Sequence, residues 1–112
     1  MNPYTRPGLN LTDKDIVEII NSVFGLKDSY WVISPSQKPE DAIPRHVLMA
    51  CLKDFLDWSY EASGVYCERS KTQAYYSHRN VKQTLMNDSV YGKRVREVYQ
   101  KCKTLAKATS IN

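Results

Sequence analysis

Residues 68–86 read ERSKTQAYYSHRNVKQTLM, and how this stretch folds decides what kind of domain the chain forms. ERSKTQAYY allows one short helix of about two turns. Ser77 has the chemistry of an N-cap, and Val81 and Leu85 after it stand one helical turn apart, so HRNVKQTLM reads as a second helix with those two residues facing inward. The spacing predicts a tight turn at Tyr76 and Ser77 with His78, Arg79 and Asn80 in the first turn that follows. That is the layout of a helix-turn-helix, in which a second helix is offered N-terminus first to the DNA major groove.

Outward from this stretch the remaining pattern is also helical. Upstream, Thr12 with Asp15 makes a helix start, Ile16, Ile19, Ile20, Val23 and Phe24 repeat at helical spacing, and Gly25 stands where that helix stops. Tyr30, Trp31, Val32 and Ile33 are too short a run for a helix and are expected to fold back on the core from a proline-rich loop. Pro44 suits the first turn of a central helix running to about Tyr60, with Val47, Leu48, Cys51, Leu52 and Phe55 on one side. Gly64 interrupts the pattern ahead of the pair of short helices. Downstream, Asp88 starts a final helix whose seam is Tyr91, Val95, Val98, Cys102 and Leu105. With no alternating strands and no repeats, the expectation is one all-α domain of about five helices around one core. Residues 12–107 form it, with an extended or poorly ordered arm at 1–11 and a tail at 108–112.

At 112 residues the chain suits a single core. No apolar run reaches the roughly 20 residues that span a bilayer, and the start MNPYTRPGLN lacks a signal-peptide layout, so a cytoplasmic protein without membrane contact is expected. Cys51, Cys67 and Cys102 are odd in number and far apart, which points to reduced thiols; Cys51 and Cys102 fall on apolar stripes. His46 and His78 have no carboxylate or thiol at metal-ligand spacing, and no phosphate loop, dinucleotide fingerprint, zinc-protease or serine-hydrolase motif is present. A non-enzyme without metal or cofactor is the expectation.

Charge gives the function class its direction. Residues 1–68 hold six Lys/Arg against ten Asp/Glu, a net of −4, whereas residues 69–112 hold ten against two, a net of +8. A basic C-terminal half suits a polyanion. Arg and Asn can pair with guanine and adenine edges, while Lys71, Lys82, Lys93, Arg94 and Arg96 supply the sequence-independent part of DNA affinity.

Three segments, IVEIINSVFGL, SQKPEDAIPRHVLMACLKDF and YYSHRNVKQTLMNDSVYGKRV, resemble in order and spacing the C-terminal DNA-binding domain of the bacterial chromosomal replication initiator DnaA, a helical domain of the Trp-repressor-like class. The resemblance covers roughly residues 12–106. Pro44, Arg45, His46, Met49, Lys53 and Asp54 fall on the family pattern P/A-R-Q-x-A-M-x-L-x-(K/R)-(E/D), and Ser77, His78, Arg79, Asn80 and Val81 take the places of its histidine-led recognition signature. It implies that His78 and Arg79 face bases, that Asn80, Gln83, Arg45, His46 and Lys53 approach or flank phosphate and that Lys38 stands for the family's basic loop; Lys82, from the basic excess, joins the backbone contacts, and Ser77 is the cap its chemistry suggests. The expected protein is thus a monomeric reader of double-stranded DNA without an ATPase module, in replication control or regulation. Its rival is a helical protein-interaction domain that kept the fold and lost DNA recognition, using Tyr75, Tyr76 and the Trp31 region against a protein partner. RNA binding ranks third, since tyrosines beside arginines stack on unpaired bases.

Overall fold

The computed structural model describes residues 11–109, and over them the chain is all-helical. Five helices follow in order: α1 (Asp13–Phe24), α2 (Pro39–Leu56), α3 (Tyr60–Tyr66), α4 (Lys71–Gln83) and α5 (Gly92–Thr109), with single 3₁₀ turns at Tyr30–Val32 and Leu85–Asn87. No strand occurs among the described residues, so the all-α fold is as expected.

α1 begins where its cap chemistry demands. Thr12 Oγ1 accepts from the Asp15 N–H at 3.1 Å and Asp15 Oδ2 accepts from the Thr12 N–H at 2.9 Å, a reciprocal capping box. Gly25 ends the helix at φ +68°, a left-handed conformation that glycine adopts without a Cβ clash. Ile16 and Ile20 are fully buried, and Leu11, one residue ahead of the cap, joins them in the core. Residues 1–10 of the expected arm lie outside the described residues.

α2 is the central helix, but it starts five residues earlier than expected. Pro39 takes the first helical position, where a missing N–H costs nothing, and Pro44 sits buried in the second turn instead. From Val47 to Leu52 every residue is buried, as befits a helix covered on all sides. It stops at Leu56, with Asp57 at φ 57°, short of the predicted end near Tyr60. Trp31 and Val32 do fold onto the core, Trp31 donating its indole N–H to Asn21 Oδ1 at 2.7 Å, while Tyr30 and Ile33 remain exposed.

The stretch that decides the fold departs from its reading. Ser59 caps α3 through the Ala62 N–H at 3.0 Å, and the chain turns at Cys67 to Arg69. That turn needs Gly64: a Cβ there would lie 2.7 Å from the carbonyl oxygens of both Arg69 and Ser70. Ser70 and Gln73 then close a second capping box, Ser70 Oγ accepting at 3.1 Å and Gln73 Oε1 accepting at 3.0 Å, and α4 runs unbroken through Tyr76 and Ser77. No turn occurs at those residues, and Ser77 caps nothing. It sits on the buried row Ala74, Ser77, Val81. The helix-turn-helix corner is α3–α4, and its second helix begins at Lys71, seven residues before His78.

After the 3₁₀ turn, Asp88 Oδ2 accepts from the Val90 and Tyr91 N–H groups at 2.9 and 2.8 Å and launches α5. Val95, Val98 and Cys102 are fully buried along the predicted seam. α4 packs chiefly on α2 and α3, whereas α1 and α5 pack on each other and on α2. One long face of α4 is thereby left to solvent.

Candidate nucleic-acid interface

α4 is exposed at Lys71, Thr72, Gln73, Tyr75, Tyr76, Arg79, Lys82 and Gln83. Thr72, Tyr76, Arg79 and Gln83, at spacings of four, three and four, fall on one ridge of the helix. Arg79 Nε donates to Gln83 Oε1 at 3.3 Å, which lays the guanidinium along that ridge. From Arg69 to Asn87 the chain carries four Lys/Arg and no Asp/Glu. At the helix start, the N–H groups of Lys71 and Thr72 have no acceptor within the helix, and the macrodipole adds positive potential there.

Beside the ridge runs an open groove of about 570 Å³ between the first half of α2 and α4. Arg45, Arg69 and Arg79 line it together with Gln37, Gln73, Asn80 and Gln83, His46, Met49, Tyr76, Ser77 and Thr84; no carboxylate does. His46 Nδ1 and Ser77 Oγ share a 2.7 Å hydrogen bond across its floor. Burial first, then the neighbouring guanidiniums of Arg45 and Arg69, lower the His46 pKa and keep the ring neutral.

Several residues expected on the DNA side have other tasks. Arg45, only 2% exposed, donates from its two terminal nitrogens to the carbonyls of Trp31 at 3.0 Å and Ser36 at 2.6 Å, holding the loop ahead of α2; it lines the groove from below and offers no surface to a duplex. Ser77, 3% exposed, is a core residue. His78 is tied into the helix junction. A carboxylate only accepts, so the 2.8 Å contact to Asp54 Oδ1 places the proton on Nε2, and Nδ1 faces the Tyr60 hydroxyl at 2.9 Å. Both ring nitrogens of His78 are thereby engaged within the junction, away from the exposed ridge of α4. Lys82 donates to Asp54 Oδ2 at 3.1 Å and lies 5.1 Å from the Tyr99 ring centroid. Lys53 sits 4.9 Å over the Tyr60 ring, on the far side of α4 from the groove residues. Lys38 is exposed just ahead of α2, and Asn80, half-buried, lines the groove.

Asp54 is the hub of this junction. Burial pushes its pKa up, but hydrogen bonds from His78, Tyr99 and Lys82 outweigh that and leave it lowered. The sequence reading missed Arg69, Gln73 and Tyr76 as groove residues and Lys71 and Thr72 as the exposed helix start. The signal that marks them is the S-x-x-Q capping box at Ser70 and Gln73. Of the rival's aromatics, Trp31 is buried, while Tyr75 and Tyr76 are exposed and meet edge to face at 5.3 Å.

Among the described residues no group of three His, Cys, Asp or Glu is placed to hold a metal ion, and no helix is long and apolar enough to cross a membrane. All three cysteines are free and buried. No protein-family model matches the chain, and no curated protein matches it.

Proposed function

We propose that the protein binds double-stranded DNA and that α4 is its recognition helix, as the resemblance to the replication-initiator domain implies, with no catalytic step. The observation that carries the reading is the α3–α4 corner. It presents a capped helix of 13 residues, about 20 Å long, whose outer face holds Lys71, Thr72, Gln73, Tyr76 and Arg79 and no acid. Such a helix fits the roughly 12 Å width of the major groove. The reading residues move accordingly. Thr72, Gln73 and Arg79 are placed for base edges, Lys71 and the first-turn N–H groups for phosphate, and His78 and Ser77 serve the helix junction behind them.

Fluorescence anisotropy with a randomised duplex pool at graded salt tests this. Affinity should fall steeply with salt, and a selected duplex should bind at least tenfold more tightly than the pool. Gln73→Ala should relax preference at one base position, while Lys71→Ala weakens all duplexes and shallows the salt dependence. Binding that ignores salt and sequence, or that survives both substitutions, overturns the proposal.

A second reading, a protein-interaction domain, is favoured by one patch away from α4. Tyr30 and Ile33, 62% and 40% exposed, border a shallow groove with Val17, Val32 and Tyr66. A stoichiometric protein partner lost on Tyr30→Ser, with no duplex shift by the wild-type chain, would select it.

A further inference from the structure

Arg45 is a buried charge without an acid. Its guanidinium donates only to neutral carbonyl oxygens, those of Trp31 and Ser36, and Arg69 beside it does the same with Cys67 at 3.0 Å and Ser34 at 2.6 Å. Among the described residues neither has a carboxylate oxygen within 4 Å. Buried cations are ordinarily paired, because leaving water costs the charged form heavily. The cost shows in Arg45 itself, whose pKa is lowered by burial first and then by Arg69, with Cys67 and Asp41 offsetting part of it. Carbonyl bonds satisfy the donors and leave the net charge in place.

Both guanidiniums line the α2–α4 groove, and Arg79 adds a third from α4. Three cations from three elements, at a groove without a carboxylate, are arranged for an oxyanion. What surrounds them narrows the class. Tyr76, 58% exposed, offers a ring at the rim, the Gln73 amide NH2 offers a donor while its oxygen holds the Ser70 N–H, and the Asn80 amide offers donor and acceptor together, which is the chemistry that holds a base beside its phosphate. The volume of about 570 Å³ lies within the usual span of small-ligand sites.

We propose that the α2–α4 groove is a nucleotide phosphate site, in which the phosphate meets Arg69 and Arg79 and offsets the charge of Arg45 buried beneath them, and the base of a free nucleotide lies against Tyr76. The phosphate has two sources. It belongs either to a strand of duplex DNA seated on α4, whose bases stay stacked away from Tyr76 and whose phosphate then takes Arg79 in place of a base edge, in which case the site rests on the function proposed above, or to a free nucleotide that occupies the groove by itself.

Isothermal titration and thermal unfolding of the full chain test it with three probes: inorganic phosphate, a nucleoside 5′-monophosphate, and the matching nucleoside. Phosphate should raise the melting temperature beyond chloride at equal ionic strength. The monophosphate should bind at least tenfold more tightly than the nucleoside. Arg79→Gln, at an exposed position outside the loop clamp, should weaken monophosphate binding at least fivefold without shifting the unliganded melting temperature, and Tyr76→Ala should weaken the monophosphate but not inorganic phosphate. Equal responses to phosphate and chloride, or an Arg79→Gln protein that binds as wild type does, overturn the site. Duplex anisotropy separates the readings. Duplex binding competed by the monophosphate assigns the phosphate to DNA, and monophosphate binding with no duplex shift keeps the site and removes the DNA reading. Duplex binding with no response to any small probe keeps the DNA reading and removes the site.

Discussion

Replacing Asp54 with alanine should release the junction of α2, α4 and α5. Asp54 Oδ1 accepts from His78 Nε2 at 2.8 Å, and Oδ2 accepts from the Tyr99 hydroxyl at 2.8 Å and from Lys82 Nζ at 3.1 Å, with 23% of its side chain exposed. Lys82 is half in water and loses little. The Tyr99 hydroxyl and the His78 N–H lose a charged acceptor in a partly dry setting, at roughly 1–2 kcal/mol each, so the substitution should cost about 3 kcal/mol. For a chain of this length that is a fall of about 12 °C in melting temperature. Urea and thermal unfolding read the loss, and a double-mutant cycle with Tyr99→Phe should return a coupling of about 1 kcal/mol. The sign of the pH dependence follows from the lowered Asp54 pKa. Its contribution is present above the unfolded-state value of about 3.9 and is lost as pH falls through the lower folded value, so the gap between wild type and Asp54→Ala should be constant from about pH 5 to 7 and narrow below about pH 4. A variant melting within about 2 °C of wild type, or a gap unchanged at about pH 2.5, would show that Asp54 does not hold the junction together.

Gly64→Ala gains about 1 kcal/mol of helix propensity but drives a Cβ into two backbone carbonyls at 2.7 Å, and the clash should win by about 2–4 kcal/mol; an unchanged urea midpoint would show that the α3–α4 turn yields easily. Arg45→Lys keeps the charge but cannot span the Trp31 and Ser36 carbonyls with one ammonium, and should destabilise by about 2–4 kcal/mol in urea unfolding; wild-type stability would show that the loop clamp is dispensable. The thiols should ignore an aromatic disulfide reagent in the native state, because all three are fully buried. Burial pushes Cys67 up to about 12, and burial followed by contact with Cys102 raises Cys51 well above its usual range. Labelling should follow global unfolding, and fast modification of any one cysteine would contradict its packing.

Elements defined by their own residues were legible in the sequence. α1 follows from Thr12, Asp15, a helical row of isoleucines and Gly25, because capping and left-handed termination are local chemistry. α5 follows as directly from Asp88 and its seam. The start of α2 was misplaced because two prolines, Pro39 and Pro44, can each open a helix, and only the packing around the second shows that it lies inside. The candidate site was half legible: the basic excess after residue 68 and the acid-free stretch from Arg69 to Asn87 are in the sequence, and so are Arg79, Asn80 and Gln83, but not the side of the helix that faces outward.

An all-helical chain with a basic second half and a corner ahead of a polar helix follows from the residues alone, since periodicity, caps and charge are written residue by residue. Where that corner lies, and which polar groups are spent inside, depends on how the helices pack. Ser70 and Ser77 are the same capping residue type, and locally only the Gln73 partner of Ser70 tells them apart. What separates them is Gly64, whose missing Cβ lets the chain turn against Arg69 and Ser70, and His46, which reaches across from α2 to satisfy Ser77 in the middle of α4. Arg45 reads as surface charge until loop carbonyls arrive from fourteen and nine residues upstream to hold it. A polar side chain is buried or exposed according to partners distant in sequence, and those partners meet only when the helices pack.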